Sequence, residues 1–89
     1  MTAYAVTQQT EDGYDTYDVL TFRANLAQAA SPVEIQGDRG WESTPFQVAD
    51  CRHSQREAAR LLMEWIGLDG ECYSTERPFD VKEVSDVAQ

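Results

Sequence analysis

Lysine is nearly missing from this sequence. Lys82 is the only one in 89 residues, no Lys or Arg precedes Arg23, and 7 Lys+Arg stand against 16 Asp+Glu, a formal net charge of -9. So anionic a surface repels phosphate, which disfavours direct binding to nucleic acid and to anionic membranes. Long apolar runs are missing too. Nothing approaches the roughly 20 residues that cross a bilayer, and the N-terminus lacks the basic-then-apolar pattern of a secretion signal, so the expectation is a soluble, cytoplasmic protein.

Cysteine is scarce, with only Cys51 and Cys72, and without a secretion signal these are read as reduced thiols. Structural zinc sites want four ligands, with cysteines paired at short spacing. Cys51, His53 and Cys72, with Asp50 beside them, contain no Cys-x-x-Cys, so no metal site is expected. Cys51 and His53 as nucleophile and base lack a third group to orient the base. Gly37-Asp38-Arg39-Gly40 lacks the lysine and the following helix of a phosphate loop. Carboxylates abound, yet acid catalysis needs one whose pKa burial has raised, and the sequence singles out none. The expectation is a protein that is not an enzyme, with no cofactor and no small-molecule substrate.

What the chain does have is apolar content, 42% hydrophobic and 10% aromatic, enough for one modest core and a single domain over residues 1–89. Its best-defined element runs from Ser54 to Gly67. Ser54 and Glu57 form a capping box in which each side chain accepts an unpaired backbone N–H. Ala58, Leu61, Leu62, Trp65 and Ile66 recur at the helical period and form the face expected to be buried. Gly67 then stops the helix, with Leu68 placed to touch Met63.

Elsewhere, Thr2 to Gln8 reads as a strand and Asp12-Gly13 as a tight turn. From Tyr17 to Ala30 two periods compete. Leu20, Phe22, Ala24 and Leu26 alternate like a strand, whereas Val19, Phe22, Leu26 and Ala30 share a helical face. Length, alanine content, acids in the first turn and the Ser31-Pro32 stop favour a helix; a hairpin at Asp12-Gly13 would instead make Tyr14 to Phe22 a strand. Pro32 to Gln36 reads as a short strand and Gly37 to Gly40 as a turn. A strand is expected at Phe46 to Ala49, another at Glu71 to Thr75, and an edge strand at Phe79 and Val81 before Ser85 to Gln89 frays. Together these elements predict an α+β domain, a small, mainly antiparallel sheet with one or two helices packed on one face.

Two charged features remain. Arg52, Arg56 and Arg60 recur every four residues, but Glu57 and Glu64 flank them, and the Arg60–Glu64 spacing suits an exposed ion pair. The acids are more one-sided. Glu11, Asp12, Asp15 and Asp18, with Glu34, Asp38 and Glu42 further on, are the candidate partner-binding residues, and Tyr14 and Tyr17 beside them supply rigid contact area. Phosphates advance about 3.4 Å per nucleotide along a DNA strand, and carboxylates on strands or helical turns can approximate that array. A protein so built would occupy the nucleic-acid-binding cleft of a partner.

In length and acidity, and in the unit Phe46-Gln47-Val48-Ala49-Asp50 followed by Ser54-Gln55-Arg56-Glu57-Ala58-Ala59, the chain resembles the small phage-encoded anti-CRISPR proteins. The resemblance is one of type and carries over no residue roles. It implies a non-enzymatic inhibitor acting in the host bacterial cell, one that binds a CRISPR effector subunit and blocks target DNA, often by presenting carboxylates to the residues that grip phosphate. The alternative is an acidic halophile or phage accessory domain acting by protein–protein interaction, its acidity serving solubility.

Overall fold

Asp12-Gly13 reverses the chain into a hairpin, and that one turn decides the first half of the fold. Gly13 takes φ +79, in the left-handed region where glycine has no Cβ penalty. The loop is closed by Thr10 N–H to the Asp15 carbonyl at 2.9 Å and Gly13 N–H to the Thr10 carbonyl at 2.9 Å. In the computed structural model, which describes residues 1–67 and 77–84, the hairpin joins β1 (Thr2–Gln9) to β2 (Thr16–Ala24). The helix expected over Tyr17 to Ala30 is therefore not formed; the hairpin alternative is. Leu20 and Phe22 lie opposite Val6 and Tyr4 in the antiparallel register, so the alternating period buries one face against a partner that was already a strand. Aromatic and β-branched residues through Thr16 to Phe22 suit that pleated surface better than a helix. At Asn25, whose side chain accepts the Ala27 N–H at 3.1 Å, the chain turns away.

Among the described residues the sheet has five strands in the order β4-β3-β2-β1-β5, with β3 (Pro32–Gly37), β4 (Gly40–Gln47) and β5 (Phe79–Val84) completing it. Every pairing is antiparallel. The α+β architecture expected from the sequence is thus present, with one helix on the sheet among the described residues. The strand expected at Phe46 to Ala49 is corrected: it starts earlier, at Gly40, and ends at Gln47. Pro45 is accommodated because β4 is an edge and a missing N–H there costs no ladder bond. Val48–Cys51 forms a 3₁₀ turn instead, fastened where the Asp50 carboxylate accepts the Gln47 N–H at 2.8 Å. The strand expected at Glu71 to Thr75, the Leu68–Met63 contact and the fraying at Ser85 to Gln89 lie outside the described residues.

Helix α1 (Gln55–Trp65) begins at Ser54, whose hydroxyl accepts the Glu57 N–H at 3.2 Å. Only half of the expected capping box exists. The Glu57 carboxylate turns along the helix to Arg60, and the Ser54 N–H is taken by the Cys51 carbonyl at 2.9 Å. The buried face is also rotated from the expected stripe. Ala58, Ala59, Leu62 and Met63 are buried, while Trp65 is 45% exposed. Two alanines side by side let the backbone approach the sheet; the indole, too large for that contact, leans edge-on against Phe46 of β4 with ring centroids 6.1 Å apart. Gly67, at φ +62, ends the helix as expected.

The core lies between α1 and one face of the sheet: Tyr4 and Val6 from β1, Leu20 and Phe22 from β2, Val33 from β3, with Val48, Cys51 and the buried helix residues. Among the described residues no helix is long and apolar enough to cross a membrane.

Candidate acidic interaction surface

The β1–β2 hairpin carries the densest charge to one end of the molecule. Glu11, Asp12, Tyr14 and Asp15 are all exposed there, and Tyr14 is 88% exposed. Because β3 runs antiparallel to β2 with Ile35 opposite Phe22, its last residue Gly37 reaches only the level of Leu20. The tip therefore stands beyond the ends of β3 and β4, and Asp38, exposed in the β3–β4 turn, sits at the same end of the sheet but behind it.

Within the tip the acids have different duties. Asp12 Oδ1 accepts the Thr10 hydroxyl at 2.5 Å and the Tyr14 N–H at 3.0 Å, so it shapes the turn. The Thr10 hydroxyl, and after it the Tyr14 N–H, hold the Asp12 carboxyl below the usual carboxylate range, because both bonds are made to the charged form. The Glu11 and Asp15 carboxylates make no hydrogen bond or ion pair among the described residues, and they point into water with Tyr14 between them in sequence.

The remaining candidates do not share one face. A β-bulge interrupts the register: Val6 faces Leu20 but Thr7 faces Asp18, leaving Val19 as the extra residue. Beyond the bulge Asp18 lies on the sheet face away from the helix, exposed, beside Thr7. Tyr17 lies on the helix side, half-buried, and its hydroxyl donates to Gln8 Oε1 at 3.0 Å. Glu34 shares the outer face with Asp18 but is bound to Arg23, whose Nε donates to it at 2.7 Å; the same guanidinium lies 4.6 Å from the centre of the Trp41 ring. Glu42, paired opposite Ile35, is exposed on the helix side of the β4 edge. The structure thus brings together Glu11, Asp12, Tyr14 and Asp15, sets Asp18 and Asp38 nearby at the same end, and places Tyr17, Glu34 and Glu42 elsewhere.

Two residues that the sequence did not single out belong to this end. Arg77 donates to the Gln9 carbonyl at 3.2 Å and, with Glu11, Asp12 and Pro78, lines an open cleft of about 410 Å³ beside the tip. It places one cation next to the acids. Gln8, only 1% exposed, donates from Nε2 to the Arg77 carbonyl at 3.2 Å while its oxygen takes Tyr17. No local pattern around Arg77 announces this; only the pairing of β5 with β1 brings it there.

Of the other chemical candidates, Cys72 lies outside the described residues, and Cys51 and His53 have different surroundings. Cys51 is buried, and burial, with Asp50 and Glu57 adding to it, pushes its thiol up, away from the thiolate that nucleophiles and metal ligands require. His53 is exposed, held at φ 56, and its Nδ1 donates to the Leu26 carbonyl at 3.1 Å. Among the described residues no group of three or more His, Cys, Asp and Glu converges to hold a metal ion. Of the arginines, Arg60 bonds Glu57 and Glu64, the latter at 2.8 Å. Arg56 donates to the Phe79 carbonyl at 3.1 Å and stacks over that ring, so these two arginines serve the fold's own contacts.

Comparison with known proteins gives no match, whether to a protein-family model, to a curated protein or to a solved structure.

Proposed function

We propose that this chain is a non-enzymatic inhibitor that binds a nucleic-acid-binding complex and competes with its nucleic acid, using the β1–β2 tip as a mimic of the phosphate backbone. The supporting observation is the posture of that tip. Glu11 and Asp15 present exposed carboxylates that make no ion pair among the described residues, on a hairpin closed by the Thr10–Asp15 bond and shaped by Asp12, flanking an aromatic ring almost wholly in water. Tyrosine is among the residues enriched in interface anchors. A net charge of -9 steers such a surface towards a cationic cleft and away from free nucleic acid.

The partner class put forward by the resemblance described above is a bacterial CRISPR effector, and the cationic groups engaged would be those that grip the phosphates of its target DNA. The test is displacement of labelled target DNA from such an effector by an excess of this protein, with Asp15→Lys/Asp18→Lys as the comparison. Loss of bound DNA with the native chain and retention with the double variant supports the reading. Full DNA binding in the presence of excess native protein contradicts it.

A further inference from the structure

Among the described residues β4 and β5 form the two edges of the sheet, and they are not alike. The β4 edge carries Pro45 and a register irregularity between Pro32 and Glu34 where it meets β3, two devices that blunt strand pairing. The β5 edge carries neither of these two: Gln8 to Ala3 pair with Phe79 to Val84 without a register shift, and among the described residues no strand pairs with its outer side, where Arg56 alone reaches the Phe79 carbonyl; its charges, Asp80, Lys82 and Glu83, oppose unspecific pairing and admit only a register that matches them. We propose that β5 is a homodimerisation edge, pairing antiparallel with β5 of a second copy about a twofold axis at Val81.

The register follows from charge. Asp80 and Lys82, opposite Thr7 and Ala5, lie on the sheet face away from the helix, and Phe79, Val81 and Glu83 lie on the helix side. The Phe79 carbonyl is reached by Arg56 rather than by β1, which marks it as outward-pointing; alternate strand residues share that direction, so Val81 and Glu83 also offer their N–H and C=O outward. Centring the pair on Val81 sets Val81 against its own copy and Phe79 against Glu83 of the second copy, so outward groups meet outward groups. In the same register Asp80 faces Lys82 of the second copy, twice by symmetry, and the only lysine of the chain finds an acid directly across the ladder. On the other face Glu83 of the second copy arrives beside the Arg56 guanidinium, which lies 4.3 Å from the centre of the Phe79 ring. The Phe79 carbonyl has two lone pairs and can keep Arg56 while accepting the new N–H. Shifting the register by one residue opposes Asp80 to Glu83 and abolishes this complementarity.

The contact surface is small and each copy carries a charge of -9, so association is of the weak class and strengthens as salt screens the long-range repulsion. This interface is separate from the acidic tip and stands without it. The test is sedimentation equilibrium from about 10 μM to 1 mM, the range of weak complexes, in low and moderate salt. Native protein should show a monomer–dimer equilibrium, Lys82→Asp should shift it at least tenfold towards monomer, and Asp80→Lys/Lys82→Asp should restore it by exchanging the two charges, with unchanged circular dichroism throughout. Monomer at every concentration, dimerisation indifferent to Lys82→Asp, or failure of the exchanged pair to rescue overturns the proposal.

Discussion

The hydroxyl of Tyr17 donates to the side-chain oxygen of Gln8, the most deeply buried amide side chain among the described residues. This bond separates two adjacent residues of β2 by role: Tyr17 is committed to the interior, while Asp18, turned to the opposite face beyond the bulge, stays in water. Gln8 meanwhile ties β1 to the segment entering β5 through the Arg77 carbonyl. A buried amide costs free energy unless its hydrogen bonds are made, so the clasp stabilises by being complete.

Tyr17→Phe removes that donor from the buried Gln8 oxygen. The expected cost is about 1 to 3 kcal/mol, measured by urea unfolding, with no change in partner affinity beyond that due to unfolding. Tyr14→Ala should do the reverse: at 88% exposure it changes stability by less than about 0.5 kcal/mol and weakens binding. A stability loss at Tyr14 equal to that at Tyr17 would contradict this division.

Leu62→Ala, at a fully buried helix position, should cost about 2 to 5 kcal/mol, the transfer term plus the cavity left behind. Trp65→Ala, half in water and set against the Phe46 ring, should cost clearly less despite the larger side chain removed. Thermal or denaturant unfolding of the two variants side by side decides which face of α1 is the buried one.

That rotated face shows where sequence patterning runs short. The start, stop and existence of the helix were legible because Ser54 and Gly67 act locally. Which of two overlapping apolar stripes is buried depends on how closely the sheet approaches, and Ala58 and Ala59 reveal that only once β2 and β5 are beneath them. The same holds for residues 17 to 30. Leu20, Phe22 and Leu26 satisfy both periods, and the decision rested with β1, which supplies the pairing. Of the candidate site, the tip from Glu11 to Asp15 was readable because a hairpin loop keeps sequence neighbours together. Glu34 and Glu42 were not, since their surroundings, Arg23 and the edge of β4, are set by cross-strand register. Arg77 stands beside the tip for the same reason.

Asp12 gives a pH-dependent prediction. The Thr10 hydroxyl first, then the Tyr14 N–H, lower its folded pKa, so its contribution to stability is present above its ordinary unfolded value of about 4 and is lost as the pH falls through the lowered folded value. Thr10→Val removes the larger cause. In a carboxyl-carbon NMR titration the Asp12 midpoint of the variant should move up towards the ordinary value, and the variant should lose less stability than the native chain on acidification below about pH 4. An unchanged midpoint would show that the hydroxyl is not the cause.

Arg23 holds Glu34 and lies on the Trp41 ring. Arg23→Met keeps most of the stem and removes both interactions, and we expect a loss of about 1 kcal/mol, shared between a screened ion pair and a cation–π contact. Glu34→Gln should cost less, because the ring contact survives. Equal losses would mean that the Trp41 contact contributes nothing.

The proposed role of the hairpin tip is that of a phosphate mimic, and competition at varied salt tests it most directly. Labelled target DNA bound to a CRISPR effector is titrated with native protein and with Asp15→Lys/Asp18→Lys. The expected result is displacement by the native chain that weakens as salt rises, as for any interface steered by exposed charge, and little displacement by a folded double variant. Displacement that is equal for both proteins, or DNA that stays fully bound under excess native protein, would contradict the claim.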